Sequence, residues 1–473
     1  MKYTSVMGLE IHAELLCESK VFCSCRNEFG GEPNTRVCPV CSGMPGALPV
    51  LNKNAVTLAV KAGLCLGCKI NSISAFDRKN YFYPDLPKAY QITQQEKPIC
   101  SNGIVVIGSK EIRINRIHIE EDAGKLIHDE NNKVTLVDFN RCGVPLIEIV
   151  TEADFTTADE VCRFIEEVCL RLKYADVCNA RLEEGSLRVD VNISVMPEGS
   201  DKFGTRAEIK NLNSLKSVSK AIAYETQRQI ELIESGQAVI QETRRFDEKS
   251  EKTFAMRSKE DSRDYRYFPE PDLPQIHISS EDIEEIRKTL PQMPAQRLSR
   301  YVNDFGLSAE DSALIIKNKE FSDFYDKATE HFSDYKGIAN MMLGELNRHL
   351  NNSSITLSQL KFTPKMLADL VKMSSEKRIT KNAAKDIFAI MFETGEKPEE
   401  TAVKNNLLTE DKTDEIIKAV KQVLNENTEN VKCYKEGKTQ LFGYFMGQAV
   451  RIIGKSTNPV TVKEILQKIL SEK

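Results

Sequence analysis

The chain has 473 residues, of which 41% are hydrophobic and 29% charged, and its formal net charge is −5. A chain of this length exceeds one hydrophobic core, so two or three domains are expected. The mildly negative charge excludes a global basic surface for nucleic acid. No run of about eighteen apolar residues occurs, which excludes a membrane-spanning helix, and the N-terminal segment lacks a signal-peptide pattern. We therefore expect a cytoplasmic protein whose thirteen cysteines are reduced.

The first predicted element is a strand over GLEIHAEL, residues 8–15. Glu10, His12 and Glu14 alternate with apolar residues, so one face of the strand would be apolar and the other would carry two carboxylates and an imidazole. A solvated outer face is the ordinary explanation for a single strand of this kind. A chemical role becomes the better explanation only if the pattern recurs.

A cysteine cluster follows in CSCRNEFGGEPNTRVCPVC, where a C-x-C pair and a C-x₂-C pair are separated by twelve residues. Four thiolates can close a tetrahedral structural zinc site, and the ligands here would be Cys23, Cys25, Cys38 and Cys41. The first pair is tighter than the usual spacing, so buried free cysteines or a site that no longer binds metal are the alternatives. We predict structural zinc in an insert over residues 17–45, without a catalytic role because four protein ligands leave no open position.

The next unusual stretch, FDRKNYFYPDLPKAYQITQ at residues 76–94, mixes cations such as Lys79 with aromatic residues such as Tyr81. A buried plug in the core is one interpretation of so many rings. The other is a site for a purine or a nucleic-acid end, since rings stack on bases and cations meet phosphates.

Three further predicted strands repeat the alternation of the first. Their polar positions are Arg116, His118 and Glu120 in RIHIEE, Arg188 and Asp190 in SLRVDVNIS, and Arg206, Glu208 and Lys210 in GTRAEIKNL. Carboxylates from several strands suit Mg²⁺, which completes its octahedron with water and phosphate oxygens, and the cations would hold the phosphates. No P-loop motif GxxxxGK[ST] occurs. The pattern favours a nucleotide site without a P-loop, used for phosphoryl transfer.

Helices are predicted between and after these strands. Thr157 and Glu160 form a possible capping box, and a second helix is expected to begin at Asn213 and stop at Gly236. Strand patterns end with YFPEPDLPQ at residues 267–275, and helical periodicity follows to the end of the chain. We predict an α+β fold with a mixed or antiparallel sheet over residues 1–292, an all-α domain over 293–403 and a helical tail over 404–473.

Several of these stretches together resemble the B subunits of the aspartyl/glutamyl-tRNA amidotransferase family. The matching blocks occur in order along the whole chain and are GLEIHAEL, FDRKNYFYPDLPKAYQITQ, IHIEEDAGK, DFNRCGVPLIEIVTEAD, EEGSLRVDVNIS, EIKNLNS, QETRRFD and MRSKEDSRDYRYFPEPDLP. The resemblance implies a catalytic cradle similar to glutamine synthetase and guanido kinases, then a helical domain and a tail similar to the YqeY family.

The implied activity is the ATP-dependent phosphorylation of a glutamate or aspartate side chain misattached to tRNA(Gln) or tRNA(Asn), followed by displacement of phosphate by ammonia. The chain shows no amidase pattern, and residue 2 is Lys rather than a nucleophilic cysteine. The resemblance therefore implies two partners. One is an amidase (glutaminase), the A subunit, which supplies ammonia, and the other is the small C subunit.

The resemblance also implies roles for particular residues. Glu10, His12 and Glu121 would hold Mg²⁺, with Asp190 and Glu208 near the same centre. Lys79 and Tyr81 would lie near ATP or the aminoacyl end. The strand pattern itself adds Arg188 and Arg206 as cations that would bind the nucleotide. In the tail, the cations expected to contact the tRNA backbone are Lys438, Arg451, Lys455 and Lys463, although lysines on a helical bundle are also ordinary solvated surface.

Two other functions are compatible with parts of the sequence. A non-catalytic, zinc-stabilised RNA-binding scaffold would explain the cysteines and the tail but not carboxylates on four strands. A free-standing carboxylate–amine ligase acting on a small metabolite would use the ATP site but leave the tail without a function. Consumption of ATP that depends on charged tRNA separates the three hypotheses.

Overall fold

The computed structural model of the chain describes residues 2–129, 131–258, 265–353, 355–409, 413–453 and 459–471. The chain forms two compact units, Met1–Pro294 and Ala295–Lys473. The domain limit predicted at residue 292 lies close to this division.

The first unit contains all the strands of the described chain. They are β1 (Tyr3–Glu14), β2 (Lys69–Ile70), β3 (Ile73–Ser74), β4 (Asp77–Asn80), β5 (Tyr90–Thr93), β6 (Cys100–Ile107), β7 (Lys110–Glu121), β8 (Lys125–Asp129), β9 (Val134–Asp138), β10 (Pro145–Thr151), β11 (Leu187–Pro197), β12 (Ala207–Leu212), β13 (Glu242–Asp247), β14 (Lys252–Ser258), β15 (Phe268–Pro269) and β16 (Ile276–His277). Nine of them form one sheet in the order β14-β13-β12-β11-β1-β10-β7-β6-β2. Strands β12 and β13 pair in parallel, and the other neighbours are antiparallel. The predicted mixed sheet is confirmed.

Smaller sheets lie beside the large one. Strands β15, β4 and β5 form a three-stranded sheet, while β16 pairs with β3 and β8 pairs with β9. The β15–β4 pairing joins Phe268 to Arg78, and Arg78 also holds the Glu270 carboxylate at 2.7 Å. The segment after residue 264 is thereby fixed against the aromatic stretch at residues 76–94.

Helices cover one face of the large sheet. The helices of the first unit are α1 (Lys53–Cys65), α2 (Ala158–Tyr174), α3 (Leu215–Glu234) and α4 (Ser280–Lys288), and a 3₁₀ turn spans Phe139–Arg141. Helix α2 begins with the predicted capping box of Thr157 and Glu160. The prediction for α3 is wrong by one residue, since Ser214 rather than Asn213 accepts the backbone N–H of Ser217. Gly236 follows the end of α3 with a φ of +75°.

The core of the first unit forms where the apolar positions of the strands meet these helices. In β1, Leu9, Ile11 and Ala13 are at most 1% exposed, and they belong to one cluster with Phe164 and Val168 of α2. Burying each large apolar side chain contributes about 1.5–3 kcal/mol. This stabilisation orients the strand, so that the alternate residues Glu10, His12 and Glu14 are left on the opposite face.

The second unit is helical, as predicted. Its helices are α5 (Pro294–Asn303), α6 (Ala309–Ile316), α7 (Lys319–Thr329), α8 (Tyr335–Met341), α9 (Asn347–Ser353), α10 (Pro364–Ser375), α11 (Lys381–Thr394), α12 (Pro398–Lys404), α13 (Thr413–Glu426), α14 (Thr428–Lys435), α15 (Leu441–Ile453) and α16 (Pro459–Ser471). A π-helical turn spans Met342–Leu346 and a 3₁₀ turn Leu357–Gln359. One apolar cluster includes Tyr301 and Phe388, and a separate one joins Val420, Phe445 and Leu466. Across the described helices, none has the length and apolar character needed to cross a bilayer.

Candidate active site and cysteine cluster

Polar residues form registered rows on the face of the large sheet that the helices leave open. Directly opposed residues of antiparallel strands project to the same face, with Cβ atoms about 4.5–5.5 Å apart. Across β11, β1, β10 and β7 the two central rows are Asp190–Glu10–Val150–Arg116 and Arg188–His12–Glu148–His118. The strand pairing therefore concentrates groups that are far apart in the sequence.

A cavity of about 950 Å³ opens over these rows. The sequence-predicted residues that line it are Glu10, His12, Lys79, Tyr81, Arg188, Asp190, Arg206 and Glu208. The cavity is also lined by Glu120, Glu148, Lys210 and Thr243, which the predicted site did not include. Acids from five strands, β1, β7, β10, β11 and β12, thus face one space.

The first group of ligand atoms in the cavity comprises His12, Glu120 and Glu148, whose atoms lie within 4.8 Å of one another. His12 Nε2 is 3.5 Å from Glu120 Oε1 and 3.6 Å from Glu148 Oε2. His118 Nε2 lies 3.1 Å from the same Glu148 oxygen. Each imidazole therefore directs one nitrogen at the two carboxylates.

The titration of these groups follows from burial and from their proximity. Burial alone would lower the pKa of His118, but the Glu148 and Glu120 carboxylates outweigh it and raise that pKa to about 9. Burial would raise the pKa of Glu148, but the two imidazoles hold it well below the ordinary value. Glu148 is therefore a carboxylate, the form that can bind a cation.

A second group comprises Glu10, Asp190 and Glu208, again with ligand atoms within 4.8 Å. Lys210 Nζ lies 2.6 Å from Asp190 Oδ2 and 2.8 Å from Glu208 Oε1. Thr243 donates a hydrogen bond of 2.8 Å to Glu208 Oε2. Burial makes the largest contribution to the raised pKa of Glu10, and the neighbouring carboxylates of Glu148 and Glu208 raise it further.

A bulge in β12 helps to direct this group into the cavity. The pairing of β11 with β12 shifts register between Val189 and Val191, and Asn211 has a φ of +68°. Asn211 Nδ2 donates to the carbonyl of Phe246 at 2.9 Å. Bulges of this kind redirect the side chains beside them, and here Lys210 and Asn211 both line the cavity.

Glu121, which the resemblance placed at the magnesium site, is not brought to either group. It forms an ion pair with Lys88 and accepts the backbone N–H of Ile92 at 2.9 Å. Successive residues of a strand project to opposite faces, so Glu120 and Glu121 cannot both face the cavity. The structure places Glu120 there.

Glu120 and Lys210 were named among the polar positions of the predicted strands but were not assigned to the site, and Glu148 was missed altogether, although the sequence contained a signal for each of them. Glu120 shares the period of two with Arg116 and His118, whereas Glu121 breaks that period. Glu148 stands between Ile147 and Ile149 in PLIEIV, the same alternation as in β1. Lys210 lies two residues after Glu208, so it shares the period of the polar face of that strand. A strict period-two reading of all five strands would have selected them.

The predicted cations differ in how they are held. Arg188 Nη2 lies 2.7 Å from Asp122 Oδ2, while Arg206 is exposed. Lys79 Nζ lies 4.9 Å from the ring centroid of Tyr265 and 5.8 Å from that of Tyr81. Burial would lower the pKa of Lys79, but Glu120 and the other groups around the lysine, which include Glu148, raise it. Lys79 therefore remains an ammonium group beside the rings of Tyr81 and Tyr265, which form an aromatic wall of the cavity.

The cysteine cluster also assembles. The Sγ atoms of Cys23, Cys25, Cys38 and Cys41 lie within 4.8 Å of one another. The Cys25–Cys41 and Cys38–Cys41 separations are 4.0 Å and 3.9 Å. A tetrahedron with Zn–S bonds of about 2.3 Å has edges of about 3.8 Å, so the four thiols fit a metal ion.

The surroundings of Cys41 stabilise a thiolate. The Cys38 backbone N–H donates to Cys41 Sγ at 3.2 Å, and the fully buried Lys20 places Nζ 3.5 Å from it. The hydrogen bond with Cys23 has the largest effect on Cys41 and lowers its pKa. The Cys38 N–H and Lys20 lower it further, so the pKa of Cys41 falls to about 4 although burial would raise it. Burial raises the pKa of Cys25 to about 11.

The predicted tail cations lie on the surface of the second unit. Lys438, Arg451 and Lys463 are exposed, and Lys455 lies outside the described residues. Exposure is consistent both with a role in RNA binding and with ordinary solvation.

Comparison with known proteins identifies the class to which this fold and site belong. Residues 5–284 match a family model described as the GatB/GatE catalytic domain, and residues 323–470 match one described as the GatB domain. The first match spans the large sheet except for the first two residues of β1, and it includes every residue of the cavity named above.

Curated relatives extend the similarity to the full chain. The aspartyl/glutamyl-tRNA(Asn/Gln) amidotransferase B subunit of Caldicellulosiruptor bescii is 48% identical over all of both chains. The protein of the same name from Ruminiclostridium cellulolyticum is 49% identical over all of this chain and 98% of its own, and that from Caldicellulosiruptor saccharolyticus is 49% identical over all of both. The chain belongs to the family of aspartyl/glutamyl-tRNA(Asn/Gln) amidotransferase B subunits, which confirms the resemblance found in the sequence.

Proposed function

We propose that this protein uses ATP to phosphorylate the side-chain carboxylate of Glu-tRNA(Gln), Asp-tRNA(Asn) or both, and that the product then reacts with ammonia to form the amide. The observation that carries the proposal is the convergence of acids from five strands, with lysine and arginine beside them, on one cavity. Phosphoryl transfer depends on positioning and charge neutralisation, and this lining supplies groups of both signs.

The two acid groups fit Mg²⁺ by the chemistry of their donors, because carboxylate oxygens are its preferred ligands. We assign the cation to His12, Glu120 and Glu148, and to Glu10, Asp190 and Glu208, in place of the set that included Glu121. When bound there, Mg²⁺ would neutralise phosphate oxygens during the transfer. His118 positions Glu148, and Thr243 with Lys210 positions Glu208, through the contacts described above.

The reaction needs activation because a carboxylate is a poor acyl donor. A side-chain carboxylate oxygen attacks the γ-phosphorus, the bond to the ADP oxygen breaks, and an acyl phosphate forms. The ammonia lone pair then attacks the acyl carbon, the carbon–oxygen bond breaks to release phosphate, and the nitrogen loses one proton to the departing phosphate, so that the amide and hydrogen phosphate are formed. Lys79 is the ammonium group at the aromatic wall, where it can offset phosphate charge, while Tyr81 and Tyr265 provide rings for a base to stack on.

Ammonia must come from a partner. We infer that an amidase, the A subunit, hydrolyses glutamine, that the enzyme also includes the small C subunit, and that the assembly works on tRNA in the cytoplasm. The exposed Lys438, Arg451 and Lys463 would contact the RNA backbone, whose phosphates are recognised by charge and shape rather than by sequence.

An isotope-transfer experiment tests the proposal. Glu-tRNA(Gln) labelled with ¹⁸O in both side-chain oxygens is incubated with the complete enzyme, ATP, Mg²⁺ and glutamine, and the released phosphate is analysed by mass spectrometry. We expect one ¹⁸O atom in each phosphate, because the oxygen that attacks phosphorus leaves with it. Unlabelled phosphate would contradict acyl phosphate formation.

The same experiment addresses the two other hypotheses. A scaffold would give no ATP consumption at all, and a ligase for small metabolites would release phosphate without charged tRNA. Glu111→Gln is the control variant, since Glu111 is an exposed residue of β7 outside the cavity lining. It should transfer the label as the unmodified chain does.

We propose that the cysteine cluster holds a structural Zn²⁺, since four thiols at near-tetrahedral separations satisfy its usual coordination. Lys20 would offset part of the negative charge of four thiolates and joins the cluster to the carbonyl of Phe139 at 3.4 Å. The insert would then be fixed to the catalytic unit through this lysine.

Metal analysis of the purified chain should find one zinc ion, and Cys41→Ser should lower the content to near zero. The reason is that a structural site with three thiolates binds zinc much more weakly than one with four ligands. Cys433→Ser is the control, because Cys433 lies in α14 far along the chain from the cluster. Equal zinc content in Cys41→Ser and the unmodified chain would contradict the assignment.

A further inference from the structure

Arg116 differs from the other cations of the cavity because a nitrogen of its guanidinium group is buried without a hydrogen-bond partner in the described part of the protein. It lines the cavity from β7, and its Nε is buried without a hydrogen-bond partner. No described carboxylate forms an ion pair with it. Arg188 is bonded to Asp122, and Lys210 is bonded to Asp190.

The position of Arg116 shows what a partner would have to be. It ends the row that begins with Asp190 and Glu10, and the apolar Val150 separates it from Glu10. Two strand spacings of about 4.8 Å each therefore divide the guanidinium strand from the acid strand. A ligand that reaches Arg116 from the cavity also faces the acid group of Glu10.

The chemistry of the side chain narrows the ligand further. Buried polar groups in folded proteins almost always have partners, so an orphaned donor that faces a cavity indicates a ligand. The planar guanidinium favours phosphate because its fork can donate two parallel hydrogen bonds. An anion here would lie between the guanidinium group of Arg116 and the acid group of Glu10, which can bind a divalent cation. A polyphosphate with a bound metal ion fits this arrangement of charges.

We propose that Arg116 binds phosphate oxygens of the ATP triphosphate. The proposal rests on the proposed function, since it concerns the nucleotide of the same cavity. A tRNA backbone phosphate offers the same chemistry, but the buried Nε and the shared row with Glu10 favour the nucleotide. The strand pattern named Arg116 only as one of several cations on the polar faces, and the proposal gives it a particular ligand.

The experiment measures ATP affinity by calorimetry, with Mg²⁺ and the complete enzyme but without tRNA. Arg116→Met removes the charge and keeps most of the apolar stem, and we expect ATP to bind about 10–100-fold more weakly, as for the loss of a charge-assisted hydrogen bond. Arg116→Lys keeps the charge but loses the fork, so its affinity should lie between those of Arg116→Met and the unmodified enzyme. Affinity for Glu-tRNA(Gln) should be unchanged.

Arg113→Ala is the matched control. Arg113 belongs to the same strand, but it is exposed and its Nη2 lies 2.6 Å from Asp154, so ATP affinity should stay within about twofold. Equal ATP affinity in Arg116→Met and the unmodified enzyme would overturn the proposal. A loss of tRNA affinity without a loss of ATP affinity would also overturn it, because the bound phosphate would then belong to RNA. An equal loss of ATP affinity in Arg116→Met and Arg116→Lys would overturn it as well.

The failure of this proposal is distinguishable from failure of the proposed function. If ¹⁸O transfer occurs and Arg116→Met binds ATP normally, only the role of Arg116 is wrong. If no ¹⁸O is transferred but Arg116→Met weakens ATP binding, the nucleotide site stands and the acyl phosphate chemistry is wrong.

Discussion

Glu148→Gln is expected to lower the rate of ATP-dependent amidation by at least about 100-fold, the scale on which a single preorganised electrostatic contact affects catalysis. Glu148 Oε2 lies 3.6 Å from His12 Nε2 and 3.1 Å from His118 Nε2. An amide of the same shape removes the negative charge that both imidazoles face and that a cation would bind. The rate is measured as glutamine formed on tRNA(Gln) by the complete enzyme.

The control for this prediction changes an acid that the cavity does not use. Glu111→Gln alters a carboxylate of β7 that is exposed to solvent, and the rate should remain within about twofold, because surface charges of this kind contribute little. A rate for Glu148→Gln close to that of the unmodified enzyme would contradict the assigned role of the first acid group.

Glu225→Ala is expected to destabilise the first unit by on the order of 3 kcal/mol, as is typical when one partner of a buried ion pair is removed. Glu225 is fully buried on α3, with Oε1 2.6 Å from Arg228 Nη2 and Oε2 3.2 Å from Arg244 Nε. Arg244 is itself buried on β13. Without Glu225 the guanidinium keeps its ion pair with Glu242, but it loses the carboxylate beside Nε, which water cannot replace at this buried position.

Calorimetry of the full chain checks this result as a fall in the first-unit melting temperature of about 5 °C. Glu231→Ala is the control, because Glu231 lies on the same helix but is exposed and its change should be within about 0.5 kcal/mol. Equal melting temperatures for Glu225→Ala and Glu231→Ala would contradict a stabilising role for the buried pair.

This ion pair also connects stability with the site. Arg244 follows Thr243 on β13, and Thr243 holds the Glu208 carboxylate at 2.8 Å. The pair between Glu225 and Arg244 therefore fixes the strand whose neighbouring residue positions a cavity acid. A helix on the apolar side of the sheet thus supports a carboxylate on the polar side.

The strands of the first unit were predictable because hydrophobic alternation directly reflects the pleat. The prediction of β1, β7, β11 and β12 depended on apolar residues at every second position, and those residues form the core. The same rule would have selected Glu120 over Glu121, since only Glu120 shares the period of His118. The assignment of Glu121 came from the family resemblance and not from the period of the strand.

Other parts of the site depend on pairing between distant segments, which a local pattern does not contain. Glu148 and His118 become neighbours only because β10 pairs with β7. Thr243 reaches Glu208 through the parallel pairing of β12 with β13. The contact between Lys20 and Cys41 likewise requires the folded insert, because nothing in the sequence around Lys20 distinguishes it from a surface lysine.

The most direct test of the central claim is the affinity of the full chain for Mn²⁺, used in place of Mg²⁺ and measured by electron paramagnetic resonance. Glu148→Gln should bind Mn²⁺ at least about tenfold more weakly, as for the loss of a charged ligand. Glu121→Gln should bind it as the unmodified chain does, because Glu121 pairs with Lys88 outside the cavity. Normal affinity in Glu148→Gln together with lost affinity in Glu121→Gln would contradict the account.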